Sequence, residues 1–308
     1  MLGDARPALL SLTQSGVCPP AGSALMVERR SPLARVLPHL VLLIGVAIVA
    51  FPVYLALIGS THESSVIANG QMPLYPGSEA VDTYYRTLFV GTSRTTREPV
   101  SRMLLNSFTM AMLIAAGKIA ISILSAFSIV YFRFPFRKSA FWIIFVTLML
   151  PVEVRIYPTY KIAADLGLLD SMAGLTLPLI ASATATLLFR QFFMTVPDEL
   201  VEASKLDGAG PLRFFKDTLL PLSRTTMAAL FVILFIYGWN QYLWPLLITT
   251  RDDMQTIVIG IKKMIVTSDA LTEWQVVMAT AVLAMLPPVA VVVLMQKLFV
   301  RGLVETEK

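Results

Sequence analysis

The chain has 308 residues, of which 56% are hydrophobic and only 15% charged, with a formal net charge of +5. Soluble globular domains carry about 25% charged residues, so this composition excludes one and points to a chain solvated by lipid. The basic residues are scattered rather than gathered on a face with aromatic platforms, which argues against nucleic-acid binding, and a single Cys18 with only His39 and His62 leaves no intrachain disulfide and no metal-ligand cluster of familiar spacing.

In chain order, residues 1–25 contain no apolar run long enough for a secretory signal, whereas Met26 opens VERRSP, a basic lead into an apolar stretch. We expect translation to start at Met26, with 1–25 a disordered tail or mis-assigned start and 26–308 a single transmembrane domain. Crossing the hydrocarbon core takes about 20 predominantly apolar residues. Six stretches qualify, near 40–58, 103–131, 140–158, 172–191, 227–249 and 276–298, giving an all-α polytopic fold. The second is interrupted by Asn106, Ser107 and Lys118, and the third runs past Pro151 into Glu153 and Arg155. Pro178, Pro245, Pro287 and Pro288 interrupt or bound the others; such prolines mark kinks near cavities or moving parts, although proline is also simply frequent in membrane helices.

An even number of spans puts both termini on one side, and the excess of Lys and Arg fixes which side is cytoplasmic. Arg29, Arg30 and Arg35 precede the first span, Arg133, Arg137 and Lys138 fill the second loop, and Arg190, Lys205, Arg213, Lys216 and Arg224 surround the loop after the fourth. The long first outer loop mixes Arg86, Arg94, Arg97 and Arg102 with Glu63, Glu79, Asp82 and Glu98, and its length reduces its weight.

Within that basic loop, 201–222 reads VEASKLDGAGPLRFFKDTLLPL. Thr195 precedes Pro197-Asp198 like a capping box, and Gly208 supplies a stop, so a short helix is expected near 198–207. Gly210-Pro211 punctuates again, and LRFFKDTLL forms a second helix ending at Pro221. Such a knob, with Phe214 and Phe215 among charges, either lies at the lipid interface or fills a partner's socket.

Two groups inside the spans invite a functional reading. A charge at a helix centre costs about 2.5–3.5 kcal/mol on insertion scales, so Lys118 either snorkels, pairs with Glu153, or lines the route of an anionic substrate; Arg155 either joins it or sits at the interface. Trp239, Asn240, Gln241, Tyr242 and Trp244 combine hydrogen-bonding groups with flat apolar surfaces, as a polyol or sugar path would, but equally as an interfacial aromatic belt would. No GxxxxGK[ST] occurs: the one Gly-Lys pair, Gly117-Lys118, is followed by Ile119. HExxH and GxSxG are absent too, so any ATP-driven work must be done by a partner and the chain itself is not expected to be an enzyme.

The spacing of Glu202-Ala203-Ser204, Gly208 and Leu220-Pro221 resembles the EAA loop of ATP-binding-cassette importer permeases, with Ser204 for the second Ala and Thr218 for an Ile. LNSFTMAM, LMLPVEVRIYPTYKIAADLGLLDS and FRQFFMTVPDELVEASKLDGAG are similar to the carbohydrate-uptake branch of that family. The resemblance implies a cytoplasmic coupling helix pair over 195–222, in which Glu202 pairs with a basic residue of an ATPase and Gly208 allows the turn, with Ala203, Ser204, Asp207, Leu220 and Pro221 completing the element. It implies a paralogous permease as heterodimer partner and two cytoplasmic ATPase subunits that bind ATP and Mg, this chain holding no cofactor. An extracytoplasmic binding protein would dock on outer loops including 61–102 and 251–273, in a bacterial inner membrane with both termini cytoplasmic. GWNQYLWPLLITT, TIVIGIKKMI and TEWQVVMA narrow the implied cargo to glycerol 3-phosphate or a glycerophosphodiester, the alternative being a disaccharide such as maltose or trehalose. In this branch the partner permease holds the bound sugar while a subunit like this one lines the path. The rival class is a stand-alone ion-coupled carrier or channel using Lys118, Glu153 and Arg155 as a relay. The intact mass of the native protein is expected to begin at Met26; a species beginning at Met1 would contradict that start.

Overall fold

The computed structural model describes residues 32–91, 98–147, 152–265 and 272–305. The leader 1–25, Cys18, Pro151, Arg94 and Arg97 lie outside the described residues. The chain divides into two compact units, 1–51 and 52–308. In the first, the described residues belong to helix α1 (Pro32–Gly59), whose large apolar side chains from Val36 to Val49 are exposed around the helix, as a segment solvated by lipid requires.

In the second unit α2 (Ser64–Ala68) and α3 (Ala80–Phe89) lead to α4 (Val100–Tyr131), then α5 (Arg137–Val146) and α6 (Val152–Asp165). After these come α7 (Met172–Thr176), α8 (Ala183–Phe193), α9 (Asp198–Leu206), α10 (Pro211–Phe214), α11 (Leu220–Leu222) and α12 (Arg224–Trp239). The chain continues through α13 (Leu243–Ile248), α14 (Ile257–Met264) and α15 (Trp274–Glu305). No strand occurs among the described residues.

Helix α4 is the member on which the others pack: α8 and α12 lie along it, and α15 lies against α12. Its sequence explains why. Ala111, Ala115, Ser122 and Ala126 are buried at helical spacing, forming a stripe of small side chains that lets neighbours approach closely, with Lys118 set in the same stripe. The closest approach is at Gly238 of α12, where a Cβ would meet the Ala111 Cα at 2.9 Å. Phe189, Phe193, Phe235 and Trp239 fill the core around this contact.

Among the described residues three helices are long and apolar enough to cross a membrane: Val36–Gly59, Val100–Tyr131 and Trp274–Gln296. Two bent pairs bring the number up to five, Met172–Leu179 with Ala183–Phe193 at 49° and Pro211–Leu222 with Arg224–Trp239 at 70°. The expected fourth span, 172–191, is therefore not one straight helix. Pro178 falls in a tight turn over Leu177–Leu179, and Ser182 restarts the helix by accepting the Ala185 N–H. The expected fifth span, 227–249, stops at Trp239, because Pro245 has no N–H to donate to Gln241 and fits only in the first turn of a new helix, α13. The expected third, near 140–158, is covered by α5 and α6, and α6 continues through Pro158 to Asp165.

At one end of α4, Asn106 Nδ2 donates to the carbonyls of Asp253 and Gln255, and Ser107 Oγ accepts the Ile257 N–H at 2.8 Å. The loop 249–255 is further held by Asp170, which has a left-handed backbone with φ +51°. Its carboxylate accepts the Thr250 hydroxyl at 2.6 Å and the N–H groups of Arg251 and Thr250. Arg86 pairs with Glu273 at 3.8 Å and Arg102 with Glu98 at 3.4 Å, so two of the basic residues that blurred the sequence-based orientation are matched by acids.

The Thr250 hydroxyl first, and then the Arg251 N–H, hold the Asp170 carboxyl below its ordinary range. A lowered carboxyl supplies stability above the usual carboxylate range and loses it as pH falls through the lowered value. Asp170→Asn is therefore expected to reduce the melting temperature at pH 7 by on the order of 2 °C, a small effect because the group is solvent-accessible, and the difference should vanish at strongly acid pH. A pH series of thermal melts checks this.

Candidate functional site

The passage 195–222 forms two short helical pieces joined at Gly208–Gly210, together called the knob below. Helix α9 opens with Asp198 and Glu199 in its first turn, where the positive end of the helix dipole favours them. The expected Thr195 cap is not formed: its hydroxyl donates back to the Phe192 carbonyl at 2.7 Å, and Pro197 occupies the cap position. At the other end Gly208 takes φ +70°, its N–H bonding the Lys205 carbonyl while the Ala209 N–H bonds that of Ser204. That pair of bonds is a Schellman stop, which needs a residue without a Cβ penalty in the left-handed region.

The second piece does not end at Pro221. It runs from Pro211 to Leu222, with a wider π turn over Phe215–Leu219. The proline ring at 221 would press on the Asp217 carbonyl in a regular helix, and the widened turn relieves that pressure.

The knob is rooted rather than floating. Phe214 and Leu219 are buried; Phe214 meets Tyr131 edge to face with centroids 5.3 Å apart, and Phe215 lies 4.9 Å from Phe127. Aromatic pairs of this kind add about 0.5–1.5 kcal/mol each beyond area burial. They tie α10 to the last turns of α4, so the two phenylalanines face protein and not lipid. The opposite surface is open: Glu202, Ala203, Asp207, Gly208 and Pro221 are exposed, Ser204 and Leu220 half-buried, and Leu206 and Leu212 project at the tip with 89% and 78% exposure. Between the two pieces lies a cleft of about 290 Å³ lined by Leu200, Ala203, Ser204, Asp207, Arg213 and Thr218. An exposed ridge with apolar tips and a charged flank, on a fixed root, is suited to seating in another protein.

The second constellation is a cavity of about 90 Å³ beside the middle of α4. Lys118, Arg155, Thr159, Tyr237, Gln241 and Trp244 contribute to its wall. Of the expected pathway residues the structure brings Lys118, Arg155 and Trp244 together at this wall and places Trp239, Asn240 and Tyr242 elsewhere. Trp239 is buried against Phe235 in the main core, while Asn240 and Tyr242 are exposed at the break between α12 and α13. Trp244, only 3% exposed, donates its indole N–H to the Gly174 carbonyl at 3.0 Å, which is not the placement of an interfacial belt. Glu153 stands in the first turn of α6, and its side chain lies outside the described residues. Gln241, which the sequence grouped with the possible path residues, does line the wall; Tyr237, one helical turn before it and accepting its Nε2 donation at the backbone carbonyl, was not singled out, although the four-residue spacing carried the signal.

A largely helical chain with several helices apolar enough to cross a membrane, an exposed charged knob and a cavity bearing two cations has the make-up of a membrane transport component. The family model for the inner membrane component of binding-protein-dependent transport systems matches residues 118–305, and the chain belongs to that family. The sn-glycerol-3-phosphate transport system permease protein UgpE of Agrobacterium fabrum is 60% identical over 283 residues, covering 92% of this chain and all of that protein. The protein of the same name from Escherichia coli O157:H7 is 56% identical over the same coverage. Among solved structures, a bacterial ABC transporter involved in the import of the acidic polysaccharide alginate superposes with a TM-score of 0.73. That match covers 87% of this chain and 98% of the other, and at 20% identity it speaks to the fold alone. The chain is accordingly an inner-membrane transport subunit and not an enzyme.

Replacing Trp244 by Phe leaves the Gly174 carbonyl without its donor in a buried setting, and is expected to cost about 1–3 kcal/mol of stability, read as a lower melting temperature of the purified protein.

Proposed function

We propose that this chain is one half of a heterodimeric translocation pore that imports glycerol 3-phosphate or a glycerophosphodiester, driven by two cytoplasmic ATPase subunits. The observation that carries the reading is the knob: a helix pair exposed on its outer face and bolted to α4 on its inner one. In this arrangement Glu202 pairs with a basic residue of the ATPase, Gly208 sets the turn, and Leu206 and Leu212 fill apolar hollows of the socket. Closure of the ATPase pair on ATP moves the knob, and the Phe214–Tyr131 root passes the movement to α4 and the helices packed on it. The result is alternation between two packings of the spans.

Six spans with both termini cytoplasmic accommodate this reading. Helices α5 and α6 together supply the third span, the bent pair from Met172 the fourth, and α12 the fifth. ATP and Mg are bound by the ATPase subunits, and an extracytoplasmic binding protein delivers cargo to the outer loops held around Asp170 and Arg102. Full-length relatives at 56–60% identity that bear a glycerol-phosphate name support the choice of cargo over a disaccharide.

Co-purification of the tagged chain with its transport partners tests the coupling role. Wild type should retain the ATPase, whereas Glu202→Lys, which turns an opposite-charge contact into a like-charge one, should lower retention about tenfold or more in a protein that remains folded and membrane-inserted. Absence of the ATPase from both preparations would return the knob to a lipid-surface anchor and favour the carrier reading.

A further inference from the structure

The cavity beside α4 contains two cations and no described anion. Lys118 stands nineteenth in the 32 residues of α4, close to its midpoint, and is only 7% exposed. Its ammonium lies over the Tyr237 ring, 3.9 Å from the centroid, and among the described residues it has neither a carboxylate partner nor a hydrogen-bond acceptor. A cation over an aromatic face recovers part of the cost of leaving water, but not the whole cost of a charge near the centre of a bilayer. Arg155 opens onto the same cavity, so among the described residues the charge that shares this space with the ammonium repels it instead of compensating it. Two like charges facing one small space are relieved by a bound anion.

The surrounding groups define which anion fits. Trp244 and Gln241 are held in place by their own bonds to Gly174 and Tyr237, so the wall is fixed in advance of binding. At about 90 Å³ the space has room for a small tetrahedral oxyanion. A guanidinium fork and a point-charge ammonium together are a common pair for phosphoryl oxygens.

From this geometry we infer that Lys118 and Arg155 form a station for the phosphoryl group of the cargo as it crosses, with Tyr237 and Trp244 walling it and the glycerol moiety left outside the cation pair. The inference rests on the importer reading and adds to it a selectivity element within this subunit: a phosphate-bearing cargo is passed on and its uncharged counterpart is not.

The test is uptake of radiolabelled glycerol 3-phosphate by vesicles containing the whole reconstituted complex and its binding protein, with ATPase retention measured on the same preparations. Lys118→Met and Arg155→Gln are expected to lower uptake about 10- to 100-fold, the range for losing a charged hydrogen-bond partner, while ATPase retention stays at the wild-type level. Lys118→Arg, which keeps the charge, should restore uptake to within a fewfold of wild type. Wild-type uptake in both neutral variants would overturn the station, as would equal loss in Lys118→Met and Lys118→Arg. Arg155 is exposed, so its variant keeps the test open if Lys118→Met fails to fold. Loss of the ATPase from the wild-type preparation would instead strike at the importer reading itself.

Discussion

One 32-residue helix has to serve three environments at once. The first turns of α4 anchor the loop 253–257 through Asn106 and Ser107, its middle carries Lys118, and its last turns hold the knob through Phe127 and Tyr131. In lipid every backbone polar group must find its partner inside the segment, which is why this member is an uninterrupted helix and why it is stiff. At 1.5 Å per residue, Lys118 and Tyr131 are separated by about 20 Å along the axis. A displacement of the knob therefore cannot be absorbed locally, and must be met by a change in how α8 and α12 pack on the small-residue stripe of α4.

The rest of the bundle is broken where α4 is continuous. Helix α12 approaches α4 without a side chain at Gly238, and it breaks two residues later. The segment from Met172 to Phe193 bends by 49°, and the knob joins α12 through a 70° bend next to Ser223. Breaks of this kind in a membrane protein occur where the freed backbone groups are satisfied within the protein, and the cavity around Lys118 lies against two of them. Stiffness in α4 and breaks in its neighbours are the ingredients of a two-state packing.

Much of this was legible in the sequence, and the reasons are physical. Apolar runs report the lipid requirement directly, so the first, second and last of the expected segments coincide with long apolar helices, whereas the third, fourth and fifth fall on broken ones. Gly208 announced the turn because only a left-handed residue closes a Schellman motif there. What stayed hidden depended on partners distant in sequence. Thr195 looked like a cap until its hydroxyl was seen to bond the preceding helix, and Phe214 and Phe215 looked interfacial until Tyr131 and Phe127 were seen to cover them. The cluster from Trp239 to Trp244 reads as one band along the chain, but the break forced by Pro245 sends its two tryptophans into different cores. Lys118 was legible as a costly charge, while its companion Tyr237, more than 100 positions away, was not.

In the proposed importer the rooted knob of α9 to α11 is the seat of the ATPase and the handle on α4. Hydrogen exchange of the membrane-embedded complex, with and without the ATPase subunits, tests it most directly. Amides of Asp198–Leu206 and Pro211–Leu222 are expected to become protected when the ATPase is present, with a smaller change in the last turns of α4. Unchanged exchange throughout 198–222, with protection appearing elsewhere on the chain, would contradict it.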